Sequence, residues 1–232
     1  MVRRMILWRG LDEWTAEAAR VEIGDDGLRA TGTQLGAHRL PYRLDYALDA
    51  TGRAPAGGFV TRHLRVAIAG DGWRRSIDLL RGDDGAWQCG AEAEGEPAVE
   101  LPAPRLPDGE SPLSAPGLPD GESAGGALPA PGLPPAAAAA LGPAALDCDL
   151  AFSPLTNLMP IRRHRLDREP GERAFTMAWV SVPDLRIHAD EQRYEHLAPE
   201  QVRFSQPGGF SAELLLDADG LVRRYPGIAE RL

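Results

Sequence analysis

Apolar and polar residues alternate with a period of two through most of this chain, and windows with a helical period are few. Tyr42, Leu44, Tyr46 and Leu48 alternate with Arg43, Asp45 and Ala47, and Leu64, Val66 and Ile68 alternate with His63, Arg65 and Ala67. Each set marks a strand with one buried face, because successive side chains of a strand point to opposite sides. The same pattern predicts strands at Met5–Arg9, Glu17–Ile23, Leu28–Gln34, Trp73–Leu80 and Ala86–Cys89, with a helix as the alternative for Glu17–Ile23. Gly- and Asp-rich turns separate them, as at Gly24-Asp25-Asp26-Gly27, Gly70-Asp71-Gly72 and Gly82-Asp83-Asp84-Gly85. The first ninety residues therefore read as an antiparallel meander.

The meander resumes near the C-terminus. Strands are predicted at Ala174–Val182, Leu185–Ala189, Gln192–Leu197, Gln201–Ser205, Phe210–Leu216 and Leu221–Tyr225, with Asp217-Ala218-Asp219-Gly220 as a hairpin loop. Roughly ten to twelve strands strain a flat sheet. The expected fold is all-β and mainly antiparallel, a single curled sheet forming an open barrel or half-barrel with little helix. Trp8, Trp73, Trp87 and Trp179 are expected in its wall or core, at positions where a buried indole N–H finds a partner.

Composition breaks the pattern between Ala91 and Ala145, a stretch of Pro, Ala, Gly and acidic residues without aromatics and with Val99 as its one β-branched residue. LPDGES occurs twice, at Leu106–Ser111 and Leu118–Ser123, and Ala136–Ala140 is a run of alanines that suggests a transient helical turn. Such a segment cannot bury enough apolar area to offset an ordering cost of about 1–2 kcal/mol per residue. The reading is one β domain over residues 1–232, interrupted by a disordered insertion at 91–145 that lengthens a loop.

Charge sharpens this division. Of the net charge of -9, seven negative charges fall between Ala91 and Ala145, which leaves the remainder nearly neutral. All basic residues are Arg, a mark of GC-rich coding, and no basic stripe for phosphates emerges, so nucleic acid is not an expected partner. No run approaches the ~18 apolar residues of a membrane span, nor is there a secretory leader, and the expected location is cytoplasmic. Cys89 and Cys148 have no zinc spacing and are expected to be free thiols.

Candidate chemistry concentrates in Asp147–Leu166, DCDLAFSPLTNLMPIRRHRL. Asn157, Arg162 and Arg163 are donors set among Phe152, Leu155, Leu158, Met159 and Ile161, which suits the polar rim of an apolar surface. Asp147 and Asp149 share one strand face, where they either pair with Arg162 and Arg163 or serve acid–base work; the ion-pair reading carries more weight. No catalytic signature, metal set or cofactor motif is present: His188 and His196 flank Glu191 without a metal-binding spacing, and Asp217–Gly220 lacks the remaining ligands of a calcium loop.

LDCDLAFSPLTNLMPIRRHRL, AWVSVPDLRIHADEQRYEHL and LLLDADGLVRRYPG, with LWRG, YRLDYALD and GAWQC before them, resemble the glycolipid-binding family formerly classed as a domain of unknown function and found in bacteria. The likeness covers nearly all of the chain except 91–145, which the family pattern joins more briefly. It implies an open barrel similar to bacterial lipoprotein carriers, around an apolar groove. Carried over by motif, Asp149, Asn157, Arg162 and Arg163 fall in the family's central stretch, with Gln192, Tyr194 and Tyr225 further on. The expected ligand is an amphiphilic small molecule or glycolipid, with these seven residues as ligand-binding candidates. An enzyme of sugar-lipid or small-molecule metabolism, using Asp149 or Asp147 with an Arg clamp, is the alternative.

Overall fold

The computed structural model describes residues 1–12, 14–37, 40–54, 57–97 and 128–232. The N-terminal meander is β1 (Val2–Gly10), β2 (Thr15–Ile23), β3 (Leu28–Gly36), β4 (Tyr42–Ala50), β7 (His63–Gly70), β8 (Trp73–Arg81) and β9 (Trp87–Glu94). A small hairpin, β5 (Gly52–Ala54) and β6 (Gly57–Val60), interrupts it after β4 and forms its own two-stranded sheet. The C-terminal meander is β11 (Glu172–Val180), β12 (Ile187–Ala198), β13 (Gln201–Ser205), β14 (Ser211–Leu216), β15 (Val222–Tyr225) and β16 (Ala229–Arg231). Between the two lie α1 (Pro135–Leu141), β10 (Asp147–Leu150) and α2 (Leu158–Arg163).

The last strand joins the first. Trp8 stands opposite Arg231 across the β1–β16 pair, so two meanders become one 14-stranded sheet running from β10 through β16 and β1 to β9. Neighbours are antiparallel except β10 and β11, which are parallel because the chain passes through α2 between them. The sheet is open: β9 and β10 end it without pairing. Side chains tie these ends instead. Arg81 Nε and Trp87 Nε1 both donate to the Ala145 carbonyl, at 2.8 and 3.2 Å, and Thr61 N–H donates to the Leu146 carbonyl at 3.0 Å.

The alternation read from the sequence is the observed one. Tyr42, Leu44, Tyr46 and Leu48 on β4, Leu64, Val66 and Ile68 on β7, and Ala19, Val21 and Ile23 on β2 are buried. Trp8, Trp73, Trp87 and Trp179 are buried too, Trp8 with its indole N–H on the Val222 carbonyl at 2.8 Å. Gly32 and Gly36 on β3 are covered by the rings of Tyr46 and Tyr42, and a Cβ at Gly32 would come within 2.4 Å of the Tyr46 ring. The predicted breaks between Leu185–Ala189 and Gln192–Leu197 do not exist, for β12 runs unbroken through twelve residues. Two short elements escaped the alternation altogether, the β5–β6 hairpin and β16.

Order extends further into the Pro/Ala/Gly segment than its composition suggests. Ala91–Glu94 continue β9, where Glu94 pairs with Arg74, and Leu128–Ala145 pack against the sheet, with Leu141 and Ala145 buried. The alanine run lies in the helix α1. Backbone partners replace the missing apolar area. Gly132 bridges Arg186 in parallel fashion, donating to the Leu185 carbonyl and accepting from the Ile187 N–H. The buried Arg75 guanidinium donates to the carbonyls of Leu128, Pro129 and Asp184. The expectation of disorder between these limbs concerns residues 98–127, outside the described residues. No helix among the described residues is long and apolar enough to cross a membrane.

Arg75→Ala removes the donors that hold three of these carbonyls. Limited proteolysis followed by mass spectrometry should show cleavage within 128–134 accelerated severalfold while the strands stay protected; unchanged cleavage would show that Arg75 does not order this limb.

Candidate functional site

Asp147–Leu166 forms a plug that enters the curled sheet. β10 lies at the sheet's end, the chain turns at Phe152 with φ of 63°, and α2 is buried on nearly every side. Leu158, Met159, Pro160 and Ile161 are buried, which is why this helix carries no amphipathic period that a sequence reading could detect. Pro160 is tolerated because it falls in the first turn, where its missing N–H has no intrahelical acceptor to lose.

Arg163 closes the plug. Its Nη1 donates to Asp147 Oδ1 at 2.7 Å and to the Phe59 carbonyl at 3.0 Å, and its Nη2 donates to Asp147 Oδ2. Both side chains are fully buried, and the guanidinium also lies 5.7 Å from the Phe175 ring. Arg162 takes a different direction, over the Phe59 ring at 5.8 Å and onto the Asp219 carbonyl at 3.2 Å. The two adjacent arginines are thus both committed to protein partners.

Asp149, two residues along the same face, pairs with no arginine among the described residues. Its Oδ1 accepts from Thr156 at 2.6 Å and its Oδ2 from Gln192 Nε2 at 2.7 Å. The same Gln192 nitrogen donates to Asp190 Oδ2 at 2.9 Å, and Gln206 Nε2 donates to that oxygen at 2.7 Å. The Tyr194 hydroxyl sits between Gln192 Oε1 and Asn157 Oδ1, at 3.0 and 3.2 Å, with one proton to give to either. Burial raises the Asp149 carboxyl to about 6, helped by the charges of Asp190 and Asp147 and opposed by the Thr156 and Gln192 hydrogen bonds. Asp190 is raised for the same first reason, burial.

An aromatic row runs beside this polar cluster. Tyr194 packs edge-on against Phe175 at 5.9 Å and Phe204 at 5.3 Å, and Phe204 continues to Phe210 and Tyr225, each at 5.9 Å. Tyr194, Phe204 and Tyr225 are buried, whereas Phe175 and Phe210 are only partly covered. Asp149, Asp190 and Gln206 are likewise only partly buried. The His188 ring lies 5.5 Å from that of Trp179, tilted by 47°, and burial lowers its pKa.

A second polar group lies on the inner face of β2–β4, and nothing in the sequence reading marked it. Glu17 Oε1 accepts from Tyr46 at 2.6 Å and from Ser153, on the plug, at 2.8 Å. Gln34 accepts from Tyr42 at 2.8 Å and donates to the Ala151 carbonyl at 3.3 Å. Glu17 Oε2 has no hydrogen-bond partner among the described residues, and burial pushes the carboxyl up to about 7. A half-buried strand with Glu at an inward position looks like any other alternating strand, so only the fold exposes this residue.

The structure gathers five of the seven candidates: Asp149, Asn157, Gln192 and Tyr194 in one hydrogen-bonded chain, with Tyr225 joined through Phe204. Arg163 and Arg162 stand apart, one on Asp147 and one at the β14–β15 loop. Asp190, Gln206, Phe175, Phe204 and Phe210 were missed, though Asp190 and Gln192 lie at period two with His188 and Tyr194. The resemblance implied an apolar groove inside the sheet; in the N-terminal half, Leu155, Leu158 and Met159 of the plug lie within the core. A depression of about 830 Å³ on the outer face of β4, β7, β8 and β9 is lined by charges that pair with each other, Arg43 with Asp45 and Arg74 with Glu94. His196 Nδ1 meets the Leu166 carbonyl at 2.8 Å, both cysteines are free, and Asp217 accepts the Asp219 and Leu221 N–H groups as a hairpin loop does.

A family model described as "Putative glycolipid-binding" matches residues 5–231. A solved structure, that of a DUF1089 family protein from Pseudomonas aeruginosa, is 24% identical with a TM-score of 0.61, covering 97% of this chain and 95% of that one. DUF1089 is the former name of the same family, and the likeness supports the fold. No curated protein matches.

Two outcomes follow from this geometry. Asp147→Ala strands the Arg163 charge and should lower unfolding stability by about 3–5 kcal/mol in urea titrations, while replacing both partners with apolar residues should restore much of it. Glu17 binds its proton more tightly when folded, so its contribution is fully present below about pH 4.5 and is lost as pH rises towards 7. The stability difference between wild type and Glu17→Gln should change across that window by on the order of 3 kcal/mol; a flat difference would mean that Glu17 is not held as an acid.

Proposed function

The chain belongs to the "Putative glycolipid-binding" family, and from that premise we propose that it binds an amphiphile on the inner face of β11–β13. The polar head meets Asp149, Asp190, Gln192 and Gln206, and the apolar part lies along the row from Phe175 to Tyr225. One observation carries this reading: the partly covered rings of Phe175 and Phe210 flank the carboxylates of Asp149 and Asp190 and the Gln206 amide, which are themselves only partly buried. Binding sites for such molecules combine an apolar wall with a few converging polar groups, and aromatic rings supply large contact area at little entropic cost. Tyr194 and Asn157 act behind that surface, orienting the Gln192 amide. Arg163 supports the site indirectly by holding the plug, and Arg162 anchors α2 to the β14–β15 loop.

The alternative, acid–base chemistry at Asp149, draws on its carboxyl being raised to about 6 without an arginine partner. A group poised near neutral pH suits proton transfer. Asp147, engaged by Arg163, has no such freedom, so an enzyme reading narrows to Asp149 with Asp190 beside it.

Native mass spectrometry of the purified protein, with lipid extraction of the same sample, tests the binding reading. A co-purified or added amphiphile at one per chain is expected, and Phe210→Ala should weaken its retention about tenfold. A protein that stays empty in the presence of a total lipid extract would refute it. If Asp149→Asn abolished turnover of a sugar-lipid substrate while leaving its binding intact, the enzymatic reading would replace it.

A further inference from the structure

One stretch of β12 carries charges of both signs that nothing neutralises. Arg186, His188, Asp190 and Gln192 follow one another at period two into the strand and so share one face. The Arg186 Nε is buried without a hydrogen-bond partner among the described residues, and the hydrogen bonds of this residue run through its backbone, from its N–H to Ser181 Oγ at 3.2 Å and from the Ser181 N–H to its carbonyl at 2.9 Å. Asp184, two residues before it, is held by the Ser181 hydroxyl. Four residues after it, Asp190 Oδ1 accepts from no donor among the described residues, and only the amides of Gln192 and Gln206 meet Oδ2. About 13 Å of strand separates the Cα atoms of Arg186 and Asp190. They form no ion pair with each other.

His188 and Trp179 stand in that interval. Burial acts first on His188, and the charges of Asp184, Arg186 and Asp190 all act on its ring. Trp179 lies across from it on β11 and across from Asp149 on β10. Only 7% of Trp179 is exposed, yet its indole N–H has no hydrogen-bond partner among the described residues, and neither have the His188 ring nitrogens. A buried indole N–H ordinarily finds an acceptor. Three side chains therefore offer unused N–H groups at one end of this face, next to two carboxylates that neutral donors alone engage.

The opposite end of the face is built differently. Arg173 stands across from Tyr194 on the same face, exposed, with one N–H on the Glu172 carbonyl at 2.7 Å. Between it and Asp190 come the Phe175 ring and Gln192, whose amide protons are both committed, to Asp149 and Asp190. The order along the face is thus rings, then carboxylates, then the unused donors of His188, Trp179 and Arg186.

We propose that this face takes a zwitterionic amphiphile with an amino-acid head, its ammonium on Asp190 and Asp149 and its terminal carboxylate on the Arg186 guanidinium beside the N–H groups of His188 and Trp179. This rests on the amphiphile reading above and adds a charge order to it: chain over the rings, cation next, anion last. A head of one sign would leave either the carboxylates or Arg186 without a counter-charge in a half-buried place. A guanidinium suits the far end because its fork of N–H groups matches a carboxylate.

Five amphiphiles of one chain length separate the possibilities: N-dodecyl-β-alanine, dodecylamine, dodecanoate, dodecyl maltoside and dodecylphosphocholine, the last a zwitterion of reversed charge order. Each is titrated calorimetrically below its micelle concentration. N-dodecyl-β-alanine should bind at least tenfold more tightly than any other. Arg186→Gln should erase its advantage over dodecylamine, and Asp190→Asn its advantage over dodecanoate, with folding checked by circular dichroism. Equal or tighter binding of a comparison compound overturns the charge order and leaves the amphiphile reading standing. So does an advantage that survives Arg186→Gln, or one that Arg173→Gln erases in its place. If none of the five binds, the amphiphile reading falls and the inference falls with it.

Discussion

The buried pair of Asp147 and Arg163 is the contact on which the rest of the interior depends. Two charges taken out of water are costly, and the geometry compensates by giving the guanidinium both carboxylate oxygens and the Phe59 carbonyl. Three elements meet there: β10 at the end of the sheet, α2, and the β6 strand of the small hairpin. Because the nearest guanidinium is committed to Asp147, Asp149 on the same face is left to neutral donors, and burial then holds its proton to about pH 6. A structural ion pair thus sets the electrostatics of the adjacent polar cluster.

The two halves of the sheet use their inner faces differently. In β1–β9 the inner face is covered by its own aromatic and aliphatic side chains and by the plug, with Glu17 gripping Ser153 from one side. In β11–β15 the inner face carries the row of rings from Phe175 to Tyr225 with carboxylates and amides beside it, and several of these groups reach solvent. The contrast between complete packing in one half and incomplete packing in the other is what the proposed amphiphile site rests on. The plug belongs to both halves, since Ser153 meets Glu17 while Thr156 and Asn157 meet Asp149 and Tyr194.

Much of the fold was legible because an alternating strand needs only its own residues to declare a buried face. β2, β3, β4, β7 and β8 lie within two residues of their predicted limits at each end. β12 was not legible as one strand: its inward positions are His188, Asp190, Gln192 and Tyr194, and polar residues inside erase the contrast on which the reading depends. Those same positions carry the candidate site, so the signal failed where polar side chains take the place of apolar packing. Leu128–Ala145 failed for another reason, being ordered by backbone carbonyls and Arg75, which composition does not register.

Sequence alone determined the all-β class, the meander, most inward-facing residues and the prominence of Asp147–Leu166, since each follows from local period or residue type. Which Asp meets which Arg, that Arg162 and Arg163 point to different partners, and that Asp190 and Gln206 join Asp149 and Gln192 were decided by tertiary structure. Those contacts span up to 104 residues of chain, and no local pattern encodes which strand a polar side chain will face across the sheet.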